Sequence, residues 1–94
     1  MTLIWSRQAV ADLAKLRRYI EERDPGAASE VATRILETVG QLEQFPGIGR
    51  PGRIAGTREL VIKRTPYLVV YRIGREAVHL LRIFHTRQKW PETL

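Results

Sequence analysis

Few side chains in this chain can do chemistry. There is no cysteine, which excludes a thiol nucleophile, a thiolate metal site and a disulfide. There are two histidines, His79 and His85, too few to hold a metal without help from carboxylates. On a strand they fall six residues apart on one face, roughly 20 Å from each other, which forbids a shared ion. His85 is left as a lone general acid or base, since imidazole titrates close to neutral pH. Its plainer role is to end a strand and hydrogen-bond a neighbour. Cations surround it, and the formal net charge of +6 is unevenly placed. Residues 1–49 carry six Lys/Arg against seven Asp/Glu, and residues 50–94 carry ten against three. A basic half attracts nucleic acid or an acidic protein segment, or simply keeps the surface solvated.

A chain of 94 residues is expected to form one domain, 1–94, with a modest core. The apolar share of 44% is that of a globular protein. The opening Met1-Thr2-Leu3-Ile4-Trp5-Ser6-Arg7 has too short an apolar run for a signal peptide, and no stretch approaches the ~18 apolar residues of a membrane span. The expected location is therefore cytoplasmic, with no membrane partner.

Thr2 to Trp5 is a short β-prone run, and Ser6 is placed to cap a helix. Ala9, Leu13, Leu16 and Ile20 paint one helical stripe, which fails near Arg23. Asp24-Pro25 restarts the helix, with Asp as cap and Pro at the first turn, where no hydrogen bond is lost. Ala28, Val31, Ala32, Ile35, Val39 and Leu42 form the second stripe, which Phe45-Pro46-Gly47 stops. So short a link makes the two helices, near 6–23 and 25–45, an antiparallel hairpin. Residues 46–56, with four glycines and two prolines, read as an irregular connector. The connector could offer backbone N–H groups, Arg50 and Arg53 to phosphate, but it lacks the Gly-Lys-Ser/Thr ending of a nucleotide loop.

Three strands follow, Arg58 to Lys63, Tyr67 to Ile73 and Ala77 to His85, separated by turns too short for anything but antiparallel neighbours. The expected fold is α+β in the order β-α-α-β-β-β, a helical hairpin packed on one face of an antiparallel sheet. The strands are apolar on both faces. Tyr67, Val69, Tyr71 and Ile73 share one, and Leu68 and Val70 share the other with Arg72. Strict alternation puts Leu81 and Ile83 on one side of the last strand and Val78, Leu80 and Phe84 on the other. Two helices cover one face, so a second chain is expected on the other, with the Gly-rich loop and C-terminal tail as the alternative cover. The expected partner segment is apolar and acidic, meeting Arg58, Leu68, Val70, Arg72, Leu80, Arg82 and Phe84. Beyond the last strand, Arg87, Lys89 and Trp90 read either as a contact to a target, since Trp and Arg are enriched at binding hot spots, or, for Trp90, as a lid folded back on the core.

These segments resemble the RelE/ParE toxin superfamily, and its ParE-like members most. The resemblance runs through Leu3-Ile4-Trp5-Ser6, Ala9-x-x-Asp12-Leu13 and Arg18-Tyr19-Ile20. It continues in Leu42-x-x-Phe45-Pro46, Gly49-Arg50 and Gly56-Thr57-Arg58-Glu59-Leu60. It closes on Pro66-Tyr67-x-Val69-Val70-Tyr71-Arg72 and Ile83-x-His85-x-Arg87-x-x-Trp90-Pro91. The resemblance implies the toxin half of a type II toxin–antitoxin pair and a hetero-oligomer with a cognate antitoxin. That antitoxin is often ParD-like, with a ribbon-helix-helix part that meets operator DNA and a C-terminal segment that wraps the toxin. It also implies one of two targets, DNA gyrase or messenger RNA at the ribosome, and no cofactor for either.

RNA cleavage needs a base for the 2′-OH, cations on the scissile phosphate and an acid for the leaving oxygen. YoeB-like relatives use a connector Glu, a strand Arg and a C-terminal His–Tyr pair. Here residues 46–56 hold no carboxylate, Leu68 stands at the Arg position, and Thr86 follows His85. RelE-like relatives cluster Lys and Arg with a late Tyr, and no Tyr follows Tyr71. A ribonuclease would have to rely on His85, Arg82 and Arg87. The departures favour a toxin that binds gyrase over one that cuts RNA.

Overall fold

The structure, a computed structural model, describes residues 1–94. In chain order the elements are β1 (Thr2–Trp5), α1 (Arg7–Glu21), α2 (Pro25–Gly40), two single 3₁₀ turns (Gln41–Glu43 and Pro46–Ile48), β2 (Arg50–Pro51), β3 (Arg58–Val61), β4 (Tyr67–Ile73) and β5 (Ala77–His85). Both expected caps form. Ser6 Oγ accepts from the Ala9 amide at 2.9 Å, and Asp24 Oδ1 accepts from the Ala27 amide at 3.2 Å with Pro25 in the first turn. The regular part of α2 is shorter than its apolar stripe suggests, ending at Gly40, and a 3₁₀ turn carries the fully buried Leu42 onto the core.

The five strands form one sheet in the order β1-β5-β4-β3-β2. The β3–β4–β5 part is antiparallel, as the short turns require. β1, however, pairs with β5 in parallel, in the register Thr2↔Ala77 to Trp5↔Leu80, so the sheet is mixed rather than purely antiparallel. The helical hairpin separates these two strands, and a connection that long permits either sense of pairing. The connector also contributes the two-residue edge strand β2, in which Arg50 faces Glu59 and Pro51 faces Arg58.

The helices lie on one face. Ala9, Leu16, Ile35 and Val39 pack there against Tyr67, Val69, Tyr71, Val78, Leu80 and Ile83. A bulge alters the pattern expected for β5. Val70 faces Arg82 but Tyr71 faces Leu80, which leaves Leu81 as the extra residue and reverses the alternation. Val78 and Leu80 therefore join Ile83 on the helix side, while Phe84 turns to the other face. His79, opposite Arg72, and His85, opposite Tyr67, accordingly do not share a face as strict alternation had placed them.

The opposite face is not open. Leu68, Val70 and Phe84 are 2%, 0% and 0% exposed, and Trp90 and Leu94 pack on them. The chain's own tail covers this face, so the second chain expected there is not needed to close it. Each large apolar side chain so covered stabilises the fold by about 1.5–3 kcal/mol relative to exposure.

Candidate functional site

Strand β5 has a neighbour on both sides only as far as Leu80, because β1 ends at Trp5 and turns away through Ser6 into α1. Residues 81–85 are thus a free edge beside the first helix. Side chains close that edge. Ser6 Oγ donates to the Leu81 carbonyl at 2.8 Å. Asp12 Oδ2 accepts from the Ile83 amide at 2.9 Å. Gln88 Oε1 accepts from the His85 amide at 3.2 Å. Unpaired backbone groups at a sheet edge invite another strand, and here the three are already occupied.

Asp12 also holds Arg82, which donates from Nε at 2.8 Å and from Nη2 at 3.1 Å. The pair is 22% and 15% exposed, and this carboxylate keeps the guanidinium charged beyond its ordinary range. Asp12 lies on the apolar stripe of α1, three residues after Ala9 and four before Leu16. A carboxylate there signals a fixed partner, a sign that the stripe carries and that a list of apolar positions passes over.

Beside this clasp lies a cleft of about 670 Å³ between α1, the start of β4 and the end of β5. Leu16, Ile20, Val31, Tyr67 and Ile83 give it an apolar lining, and Lys15, Tyr19, His85, Arg87 and Gln88 stand around it. His85 meets the Tyr67 ring edge-on at 5.5 Å, and its Nδ1 accepts from the Arg87 amide at 3.0 Å. The three residues a ribonuclease would rely on, His85, Arg82 and Arg87, all border this cleft. Arg82 is committed to Asp12, and the one carboxylate at hand, Asp12, already accepts three hydrogen bonds. Lys15, Tyr19 and Gln88 belong to this site and were not marked by sequence, because spacing along one element does not reveal what another element brings to it.

The surface read from sequence for the partner does not assemble in the free chain. Leu68, Val70 and Phe84 lie beneath the tail, and the bulge sends Leu80 into the helix-side core. Arg58 donates to the Gly47 and Gly49 carbonyls at 3.3 and 2.7 Å, and Arg82 to Asp12. Only Arg72 of that set is exposed. Of the tail residues, Arg87 borders the cleft and Lys89 is exposed. Trp90 folds back, its ring 4.8 Å from that of Phe84 and 3.8 Å beneath the Arg53 guanidinium. The lid arrangement is the one observed. Arg53 is held in turn by Glu59, which is 4% exposed and accepts from the Arg53 amide at 2.8 Å and from Arg50 at 3.1 Å.

Residues 3–90 match the family described as the ParE toxin of the type II toxin–antitoxin system parDE. The chain belongs to the ParE toxin family. It is thus the toxin of a type II toxin–antitoxin system. The protein Y4kP of Sinorhizobium fredii is 44% identical over 90 residues, covering 96% of this chain and 93% of the relative. Among solved structures, this ParE-family fold superposes on the chromosomal ParDE toxin–antitoxin system from P. aeruginosa with a TM-score of 0.84 at 32% identity, covering 90% and 95% of the two chains. It also matches the toxin–antitoxin complex RelBE2 from Mycobacterium tuberculosis, with a TM-score of 0.59 at 28% identity over 89% and 95%. Similarity to both ParDE and RelBE systems supports an antitoxin partner for this ParE-family toxin.

Proposed function

We propose that this ParE-family toxin acts by binding DNA gyrase, without catalysing RNA cleavage, and that a ParD-like antitoxin neutralises it by direct contact. The observation that carries this reading is the state of the would-be catalytic groups. Arg82 and Asp12 neutralise one another at 2.8 and 3.1 Å, and Glu59 is buried under Arg50 and Arg53. Asp12 is the one carboxylate lining the cleft beside His85, and its bonds to Arg82 and Ile83 hold it away from service as a second acid–base group. Arg87 and Lys89, at the end of the last strand, are the residues assigned to the target contact. Operator DNA is met through the antitoxin.

The second reading is a ribosome-dependent endoribonuclease. One observation favours it: His85, Arg87 and Lys15 border the same cleft, and the RelBE2 likeness points in that direction. The deciding experiment incubates purified toxin with gyrase and relaxed plasmid, and separately with translating ribosomes. Blocked supercoiling or trapped cleaved DNA with intact messenger RNA is the expected result. Codon-linked cuts with unimpaired gyrase would install the ribonuclease instead.

A further inference from the structure

The fold sorts the ten Lys/Arg of residues 50–94. Arg50, Arg53 and Arg82 are ion-paired, and Arg58 donates to two backbone carbonyls. The other six form no ion pair with any carboxylate of the chain. Arg72 and Arg75 lie toward the β4–β5 turn. Lys63, Arg64, Arg87 and Lys89 gather at the opposite end of the sheet, on the β3–β4 turn and just beyond β5, and all four are exposed. The Thr86 amide donates to the Pro66 carbonyl at 2.8 Å and ties these two segments together. Two strand spacings separate them, roughly 10 Å. That is close to the Debye length of ~10 Å at 0.1 M salt, so the four charges act together on one anion.

The β3–β4 turn holds its cations in place. Thr65 Oγ1 donates to the Ile62 carbonyl at 2.9 Å and accepts from the Tyr67 amide at 3.1 Å. Arg64 stands in this turn at φ 65°, the one non-glycine residue of the chain in the left-handed region. Glycine takes that conformation without steric cost, and arginine does not. A cation kept where the backbone favours glycine points to a use for its charge. Beyond β5, the Gln88 amide donates to the His85 carbonyl at 2.9 Å, which curls the chain at Arg87. Neither segment, 62–66 or 86–89, carries an exposed large apolar side chain. Protein interfaces are centred on such anchors, whereas a nucleic-acid backbone is held by cations and needs none.

We propose that Lys63, Arg64, Arg87 and Lys89 form a phosphate-binding cluster that takes the backbone of the DNA duplex held by gyrase. The inference rests on the gyrase reading and adds that the toxin recognises the enzyme with its DNA in place. It also enlarges the target contact, adding a second segment, the β3–β4 turn, to Arg87 and Lys89. Contacts of this kind fix position on a duplex and carry no sequence information, so the binding is independent of DNA sequence and sensitive to salt.

The test titrates the full-length toxin into a short labelled DNA duplex of mixed sequence, a single-stranded RNA of the same length, and gyrase with and without the duplex. It compares wild type with Lys63→Gln/Arg64→Gly and with a remote control of equal charge loss, Arg7→Gln/Arg75→Gln. All four positions are exposed, and circular dichroism checks that each variant folds. Lys63→Gln/Arg64→Gly is expected to bind the duplex about tenfold or more weakly at low salt, with a log-affinity against log-salt slope flatter by about two. Wild type is expected to bind gyrase more tightly when the duplex is present, and this gain should vanish in Lys63→Gln/Arg64→Gly alone. Equal loss in the control would show that binding follows net charge and would overturn the cluster. So would unchanged duplex affinity in Lys63→Gln/Arg64→Gly, or wild-type preference for the RNA over the duplex. Failure of the wild type to bind gyrase in any form, with duplex binding still confined to these cations, would instead remove the gyrase reading and leave the phosphate site standing.

Discussion

The Asp12 carboxylate grips the Arg82 guanidinium with two hydrogen bonds and takes the Ile83 amide with a third. One side chain on α1 thereby occupies the middle of the free edge of β5, neutralises a cation beside the cleft and fixes the helix against the strand. Asp12→Ala leaves a partly buried guanidinium and an amide without partners, and is expected to cost about 1–3 kcal/mol. Adding Arg82→Ala should recover part of that loss, because the stranded charge is gone. A double-mutant cycle in urea measures the coupling, and strict additivity would show that the pair contributes nothing jointly.

Acid should loosen the other face. Burial raises the Glu59 carboxyl, but the Arg53 amide, the Arg50 side chain and the charges of both arginines outweigh it and leave the group below its ordinary value. A carboxylate depressed in the folded state stabilises the fold above its unfolded value and loses that contribution as pH falls through the folded one. Urea midpoints compared at neutral pH and near pH 3 should fall further for wild type than for Glu59→Gln. At neutral pH the variant should be the less stable of the two. Parallel pH profiles would contradict this account.

The tail is structural as well as exposed. Trp90→Ala removes the cover from Phe84 and the ring beneath Arg53, and is expected to cost about 1–3 kcal/mol. For a domain of this size that is a fall of roughly 4–8 °C in Tm per kcal/mol. Truncation after Thr86 should lower it further, since Leu94 also leaves the Leu68–Val70–Phe84 face. A midpoint that does not move would mean the tail is not seated there.

Tyr71 ties the connector to the core. Its buried hydroxyl donates to the Pro46 carbonyl at 2.6 Å and accepts from the Gly49 amide at 2.9 Å. Tyr71→Phe orphans that amide and should cost about 1–2 kcal/mol. Gly49→Ala should be worse, because a Cβ there would stand 2.6 Å from the Tyr71 hydroxyl and 3.0 Å from the Glu59 carbonyl. Thermal denaturation ranks the two, and the reverse order would show that the connector yields more easily than the hydroxyl.

His85→Ala separates the binder from the enzyme. A ribonuclease reduced to one acid–base group should lose about 10²–10⁴-fold in rate with it. Expressed without antitoxin, the variant is expected to arrest growth as wild type does. Survival of the cells, with messenger RNA cleavage lost from the purified protein, would favour the ribonuclease.

The helices, their caps and the three antiparallel strands were legible because each rests on local chemistry: Ser6 and Asp24 at the caps, the apolar stripes, and turns too short to allow another pairing. What escaped was non-local. The parallel partner of Thr2–Trp5 lies some seventy residues away. The bulge at Leu81 moves Leu80 across the sheet, and nothing within the run Ala77–His85 marks it. Trp90 stood out in the sequence as either a target contact or a lid, and which way it faces depends on Arg53 and Phe84, which reach it from the connector and from β5. Family resemblance named the system. It could not show that Asp12 and Gln88 seal the edge that a strand-adding partner would use.

The strand order bears on how the toxin is made. β5 lies between β1 and β4, so the second strand of the sheet, and the sole partner of β1, is the last to leave the ribosome. Until residue 85 has emerged, β1 has nothing to pair with and the helical hairpin lacks Val78, Leu80 and Ile83 to rest on. Closing so long a loop is entropically costly and slow compared with local pairing. A polypeptide abandoned in mid-translation, ending at Gly74 for instance, therefore has neither the β5 edge nor the cleft. Synthesis itself delays the hazard: the cell meets a folded toxin only after β5 has been made.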